Sequence, residues 1–153
     1  MPKKTSTPQP QFATPAEVEA AFYEAIEQAD LEGVMAVWAV DDDVVCIHPG
    51  GPRLDGYGAI LEGWKQIFTH GNRLRFTLTD LNAHAGMTYA VHVLCEWVSD
   101  ANNPVESTPV FATNAYTLTE RGWRMILHHA SAAPQNLSKS EEQLPDLGTV
   151  VLH

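Results

Sequence analysis

FATNAYTLTERGWRMILHHAS, Phe111 to Ser131, reads as a β-hairpin. Residues of high strand propensity run up to Thr119, Glu120-Arg121-Gly122 turns the chain, and Trp123 to Leu127 run back. A three-residue loop ending in Gly suits a type I turn followed by a left-handed glycine bulge, which Gly enters without steric cost. That turn sets Thr119 opposite Trp123 and, further along the ladder, Asn114 opposite His128. Tyr116 then shares their face, whereas Thr113 and His129 point the other way. A one-residue slip would exchange these partners. Polar groups in the middle of a strand pair must be satisfied or used, so the search for a site begins here.

Upstream, residues 1–13 are rich in Pro, Gln, Thr and Lys and read as a flexible tail. Thr14-Pro15-Ala16-Glu17 is a helix start: Thr14 caps, Pro15 takes the first helical position, and Glu17 closes a capping box. Val18, Phe22, Ala25, Ile26 and Ala29 follow at helical spacing. Asp30 caps a short second helix carrying Leu31, Val34, Met35 and Trp38, and Asp41-Asp42-Asp43 ends it. That acidic triplet lacks the glycine and the distant Glu of a calcium loop, so it reads as a solvated turn and no metal is expected. Val44 to His48 is a short strand closed by Pro49-Gly50-Gly51-Pro52. A third helix, Gly56 to His70, has an apolar stripe of Ile60, Leu61, Trp64, Ile67 and Phe68.

Downstream of that helix the chain is sheet. Leu74, Phe76 and Leu78 alternate with polar residues. In Met87 to Val98 one face holds Tyr89, Val91, Val93, Cys95 and Trp97, the other Ala90, His92, Leu94 and Glu96. Asn102-Asn103-Pro104 breaks that strand before the hairpin. After Pro134 the chain turns polar, and residues 135–153 form a tail whose Leu144–Leu147 and Val150–Leu152 segments suit docking on the body or on a partner. The order α-α-β-α-β-β-β-β, with strands joined by short turns, predicts an α+β domain over residues 14–134. Its curved, mainly antiparallel sheet wraps the N-terminal helices as a cone-shaped half-barrel with a pocket at its mouth.

Composition narrows the function. With 153 residues the chain makes one domain. A net charge of −10 and nine Lys plus Arg, with no basic stripe, disfavour nucleic acid and anionic membranes. No apolar run approaches a membrane span and no secretion signal opens the chain, so a cytoplasmic location is expected. Cys46 and Cys95 lack CxxC spacing and read as buried, reduced thiols.

The stretches TPAEVEAAFYEAIEQADLEGVMAVW, VVCIHPGGPRLDGYGAILEGW and ATNAYTLTERGWRMILHHAS, with the element order, resemble the nuclear transport factor 2-like superfamily over residues 14 to 134, in particular its SnoaL-like, ketosteroid-isomerase-related branch. The resemblance implies a cone-shaped α+β barrel, usually a homodimer joined through the sheet. It does not imply one reaction, because such folds host isomerases, epoxide hydrolases, dehydratases, cyclases and non-catalytic association domains. Ketosteroid isomerase pairs an Asp base with a Tyr and a protonated Asp. No such trio is evident here, since Asp80 and Asp100 fall at strand ends. Arg73 and Arg75 lack the flanking carboxylates of an epoxide hydrolase relay. The paired histidines, Tyr and Asp of the dehydratases leave that analogy open.

The site must therefore be argued from residues. His48, beside a glycine-rich turn, suits a proton carrier; its alternative is a structural bond to the turn. Glu96, in mid-strand, is either paired across the sheet or a pocket base with a raised pKa. His128 completes the catalytic candidates. Asn114 and Tyr116 would orient a polar ligand, with His92 on the face of Glu96. His128 and His129 point to opposite faces, so at most one lines the pocket, and His129 is kept as a ligand contact. Trp38, Tyr57 and Trp64 would wall an open cone. The expected function is a small-molecule-binding domain capable of cofactor-free isomerisation, dehydration or cyclisation. The alternative is a non-enzymatic dimerisation or ligand-carrier domain.

Overall fold

Each of the first two helices starts where its cap puts it. In the computed structural model, which describes residues 9–139, α1 (Pro15–Glu27) is capped by Thr14, whose side chain accepts the Glu17 N–H at 3.2 Å. The Glu17 carboxylate accepts from the Ala13 N–H at 2.6 Å, one residue earlier than in a standard capping box. Asp30 caps α2 (Leu31–Ala36) by accepting the Gly33 N–H. α3 (Tyr57–His70) begins after Gly56, whose φ of 88° suits glycine.

The strands are β1 (Val45–Ile47), β2 (Arg53–Asp55), β3 (Leu74–Ala85), β4 (Tyr89–Asp100), β5 (Asn103–Thr119) and β6 (Gly122–Ala132). They form one six-stranded sheet in the order β2-β1-β6-β5-β4-β3. Every pair is antiparallel except β1 with β6. The fold is the expected α+β cone, with one strand more than expected. β2 escapes sequence reading because three residues carry no periodicity, yet the Pro49–Pro52 turn folds them back onto β1, Leu54 opposite Cys46. Pro104 does not end the strand ladder: it lies at the start of β5, beside the irregularity between Ser99 and Asp100 where pairing is already interrupted.

The hairpin turn differs by one residue from expectation. Gly122 has the required positive φ of 93°, but it pairs with Thr119, and Trp123 pairs with Leu118. A bulge at Ile126 then inserts one residue into β6, so that Leu127 faces Ala115 and Asn114 faces His128 after all. A second irregularity, at Asp80-Leu81 in β3, carries a positive φ at Asp80. Bulges bend strands and raise local twist, and here they help curl the sheet around α1. The core beneath includes Phe22, Trp38, Val44, Ile60, Trp64 and Met125.

Both ends of the described chain are tied to the body. The Trp123 N–H donates to Phe12 O at 2.9 Å, and Arg124 lies 5.1 Å over the Phe12 ring while donating to Pro10 O. Pro10 and Phe12 are thus held against the hairpin turn. At the other end Ala133 N–H donates to Pro109 O, and Lys139 sits over the Trp97 ring on the outer face of the sheet. The Leu144–Leu147 and Val150–Leu152 segments lie outside the described residues. Among those described, no helix is long and apolar enough to cross a membrane.

A Cβ on Gly122 would meet Phe12 O at 2.6 Å and would hold an L side chain in left-handed space. Gly122→Ala is therefore expected to destabilise the protein by about 2 kcal/mol or more, read from the midpoint of urea unfolding. An unchanged midpoint would show that Phe12 is not packed on the turn.

Candidate functional site

Alternation along the strands sorts the sheet into two faces. Ala90, His92, Leu94 and Glu96 of β4, Val110, Ala112, Asn114 and Tyr116 of β5, and His128 and Ala130 of β6 are all buried, facing the helices. Tyr89, Val91, Val93 and Phe111 alternate with them and are exposed. Ala112 pairs with Ala130 and Leu94 in the middle of this floor. Toward the open end, Val110 and Ala130 lie between Glu96 and His128, and Ile26 of α1 with Trp64 and Ile67 of α3 roof the space over them without filling it. The resulting cavity measures about 440 Å³; Ile26, Trp64, Ile67, Phe76 and Val110 wall it, and His48, Glu96 and His128 reach it.

The three come from separate elements. His48 follows β1, and pairing of β1 with β6 sets Cys46 beside His128. The His48 ring lies 6.0 Å from that of His128 and meets Trp64 edge-on at 4.7 Å. Its Nε2 is 3.5 Å from Cys46 Sγ. Glu96 comes from β4, and its Oε2 accepts from the Tyr23 hydroxyl of α1 at 2.5 Å.

Behind the cavity lies a sealed polar network. Glu19 Oε2 accepts from His92 Nδ1 at 2.8 Å, from the Tyr116 hydroxyl at 2.6 Å and from Asn114 Nδ2 at 3.4 Å. Asn114 Nδ2 also donates to the Tyr23 hydroxyl at 3.1 Å, and its Oδ1 accepts from His128 Nδ1 at 2.6 Å. Asn114 therefore joins the Glu19–His92 pair to both Glu96 and His128.

Burial dominates the titration of the site. It raises the Glu96 pKa to about 7, with the charge of Glu19 adding to the rise and the Tyr23 hydrogen bond opposing it. Burial, helped by the neighbouring His48 and His129, lowers His128 to about 3, so that imidazole is neutral at pH 7. Burial lowers His48 as well. His48 lies beside the Cys46 thiol, yet burial and the charge of Glu96 push that thiol up to about 12. That is the reverse of activation, and a nucleophilic role finds no support.

The candidate residues thus divide. His48, Glu96, His128 and Trp64 line one cavity. Asn114, Tyr116 and His92 are buried behind it and make their bonds to protein groups rather than facing a ligand. Trp38 and Tyr57 line a different depression, with Arg121 and Arg124. His129 is exposed on the outer face of the sheet. The acidic triplet is a turn in which Asp43 N–H donates to Asp41 Oδ1. Sequence reading missed Glu19 and Tyr23. Their signal was available: Glu19 follows Val18 and stands three residues before Phe22, and Tyr23 follows Phe22, so both flank the apolar stripe of α1, where a carboxylate demands a partner.

The SnoaL-like domain family model matches residues 16–135. The chain belongs to the SnoaL-like family. Its structural neighbours carry the NTF2-like, cystatin-like fold. One is a candidate calcium/calmodulin-dependent protein kinase type II association domain from Thiobacillus denitrificans, 36% identical, covering 82% of this chain and 99% of the other at a TM-score of 0.76. Another is a candidate dehydratase of the NTF2-like family from Streptomyces avermitilis, 31% identical over 76% of this chain and 91% of the other, with a TM-score of 0.70. The F-box protein SKIP8 of Arabidopsis thaliana is 25% identical over 122 residues, 74% of this chain. The SnoaL-like chain spans about half the length of that curated relative, 47%. These neighbours carry no single activity between them.

Glu96 makes a pH-dependent contribution to stability whose sign is fixed by its raised pKa. Between about 4.5 and 7 the folded protein keeps a proton that the unfolded chain releases, so this contribution is present at low pH and lost as pH rises. His128, lowered to about 3, acts oppositely, being neutral in the fold where the unfolded chain takes up a proton. Comparing Glu96→Gln with wild type isolates the carboxylate. Urea unfolding should show the variant gaining stability relative to wild type between pH 4.5 and pH 8, by on the order of 3 kcal/mol. A pH-independent difference would mean that Glu96 titrates normally.

Proposed function

We propose that the cavity binds a small, largely apolar organic molecule and performs cofactor-free proton transfer on it. The observation that carries this reading is the convergence of His48, Glu96 and His128 on one mostly apolar space of about 440 Å³. A base is most useful when its pKa lies near the working pH, and Glu96 meets that condition. In the step it supports, the Glu96 carboxylate takes a proton from a carbon next to a carbonyl. The electron pair moves onto the carbonyl oxygen, which the N–H of neutral His48 holds. Return of the proton to another carbon gives isomerisation. Its delivery to a departing β-hydroxyl, lost as water, gives dehydration. The 31%-identical candidate dehydratase fits the second outcome. Tyr23 positions the carboxylate from behind.

This chemistry can be followed before the substrate is known. A panel of cyclic ketones and β-hydroxy ketones, incubated with the protein in D₂O, is expected to exchange α-protons for deuterium faster than in buffer, as read by proton NMR. Glu96→Gln should slow that exchange by about 10²–10⁴-fold and His48→Ala by less. Exchange unaffected by Glu96→Gln would remove Glu96 from the chemistry.

The outer face of the sheet supports a homodimer. Tyr89, Val91, Val93 and Phe111 are 63%, 37%, 41% and 45% exposed and lie on neighbouring positions of β4 and β5. A contiguous apolar sheet face left open to water favours a partner, and the 36%-identical neighbour is a candidate association domain. Two unbridged, buried cysteines are in keeping with a reducing compartment such as the cytoplasm. Sedimentation should give twice the 16.8 kDa chain mass, and Val93→Glu should reduce it to that of one chain. A wild-type monomer would leave this face without a role in self-association.

A further inference from the structure

Asn114 is fully buried at the junction of the two carboxylates, and its amide can point only one way. Glu19 Oε2 already takes hydrogens from His92 and Tyr116, and a carboxylate oxygen in that position can only accept. The side of the amide facing Glu19 must therefore be its NH₂. The same NH₂ donates to the Tyr23 hydroxyl, which passes its own hydrogen to Glu96. Oδ1 is left facing His128 Nδ1 at 2.6 Å. Because Oδ1 only accepts, His128 Nδ1 must carry the ring proton, and Nε2 of the neutral ring is left with a bare lone pair.

From this geometry we infer that Asn114, anchored by Glu19, locks His128 as the Nδ1–H tautomer. The cavity then meets its ligand with one fixed hydrogen-bond acceptor, His128 Nε2, which selects a molecule bearing a hydroxyl group. Among the described residues, the sealed side-chain nitrogens without a partner are the indole Nε1 atoms of Trp38 and Trp64, and His128 Nε2 is not one of them. With Nδ1 taken by Asn114 and the ring lining the cavity, Nε2 is the atom a ligand reaches. Asn114 and Glu19 are thus positioning residues: neither touches the ligand, and both act through the orientation of one amide. The ligand half of this inference rests on the cavity being a binding site, as argued above. The tautomer half does not.

Two measurements on the full chain separate the halves. Long-range ¹H–¹⁵N correlation at pH 7, with His128 assigned by His128→Gln, should place Nδ1 in the protonated, pyrrole-type range and Nε2 in the unprotonated, pyridine-type range. Free imidazole side chains favour the opposite tautomer, so a merely structural role would not require this pattern. Asn114→Leu should shift His128 toward the Nε2–H form, and the gentler Glu19→Gln should do so partially, keeping the test usable if the first variant does not fold. A wild-type ring with a pyridine-type Nδ1 overturns the lock while leaving the cavity reading intact. For the ligand class, 2-naphthol and its methyl ether form a matched pair differing in one donor. Calorimetry or ligand-observed NMR should find the naphthol bound about tenfold more tightly, with the preference lost in His128→Phe. Equal affinities would overturn the hydroxyl selection, and no binding of either would count against the cavity as a site for molecules of this kind.

Discussion

Asn114 has no water to turn to. Every hydrogen bond it makes must come from protein, and its partners sit on α1, β4 by way of Tyr23, and β6. A buried donor or acceptor left unmade costs about 1–3 kcal/mol, so this one side chain constrains the distance of α1 from the sheet and the register of β5 against β6 together. From His128 through Asn114 and Tyr23 to Glu96 each group donates onward to the next, the arrangement in which polarisation reinforces rather than cancels. Glu19 at one end and Glu96 at the other are both acceptors, and that is possible only because Asn114 and Tyr23 between them supply the hydrogens.

The cavity and the network are two results of one choice of residues on the concave face. Where the floor carries His92, Asn114 and Tyr116, the space under α1 is filled and the polar atoms are paired. Where it carries Val110 and Ala130, beside Glu96 and His128, a void remains. Interiors are otherwise packed to crystal-like density. The ring of Phe22 shows this close by, meeting Tyr23, Trp38 and Trp64 edge-on at 5.1, 6.4 and 5.8 Å. The void is placed so that the groups at its edge are those whose protonation is displaced by burial, a carboxyl held up and two imidazoles held down.

Sequence reading recovered the pairing of Asn114 with His128 although it misplaced the turn. Thr119 pairs with Gly122 instead of Trp123, and the extra residue at Ile126 restores the ladder. The error and its correction are independent facts of backbone geometry. Register in the middle of the strands is held by which side chains must face the core, so the polar residues kept their face while the loop adjusted. The separation of His128 from His129 and of Glu96 from its odd-numbered neighbours was legible for the same reason. Glu19 was overlooked because a single Glu on a helix is ordinarily solvated, and only its position in the stripe of Val18 and Phe22 marks it as buried.

Local pattern alone determined the helix starts at Thr14 and Asp30, the strand faces, and therefore the α+β cone, because caps and alternation act over a few residues and need no knowledge of the remainder. It equally determined that His48, Glu96 and His128 deserved notice, each being polar or titratable at a place where apolar residues are usual. Tertiary structure decided what those residues do. The bulges that curl the sheet, the parallel pairing of β1 with β6 and the short β2 are long-range events, and they bring His48 beside His128 while sending Trp38 and Tyr57 to a different hollow. Whether a polar side chain becomes a paired prop or a group open to a ligand depends on which neighbours arrive from distant segments. That information resides in the packing of helix on sheet and not in any stretch of the chain.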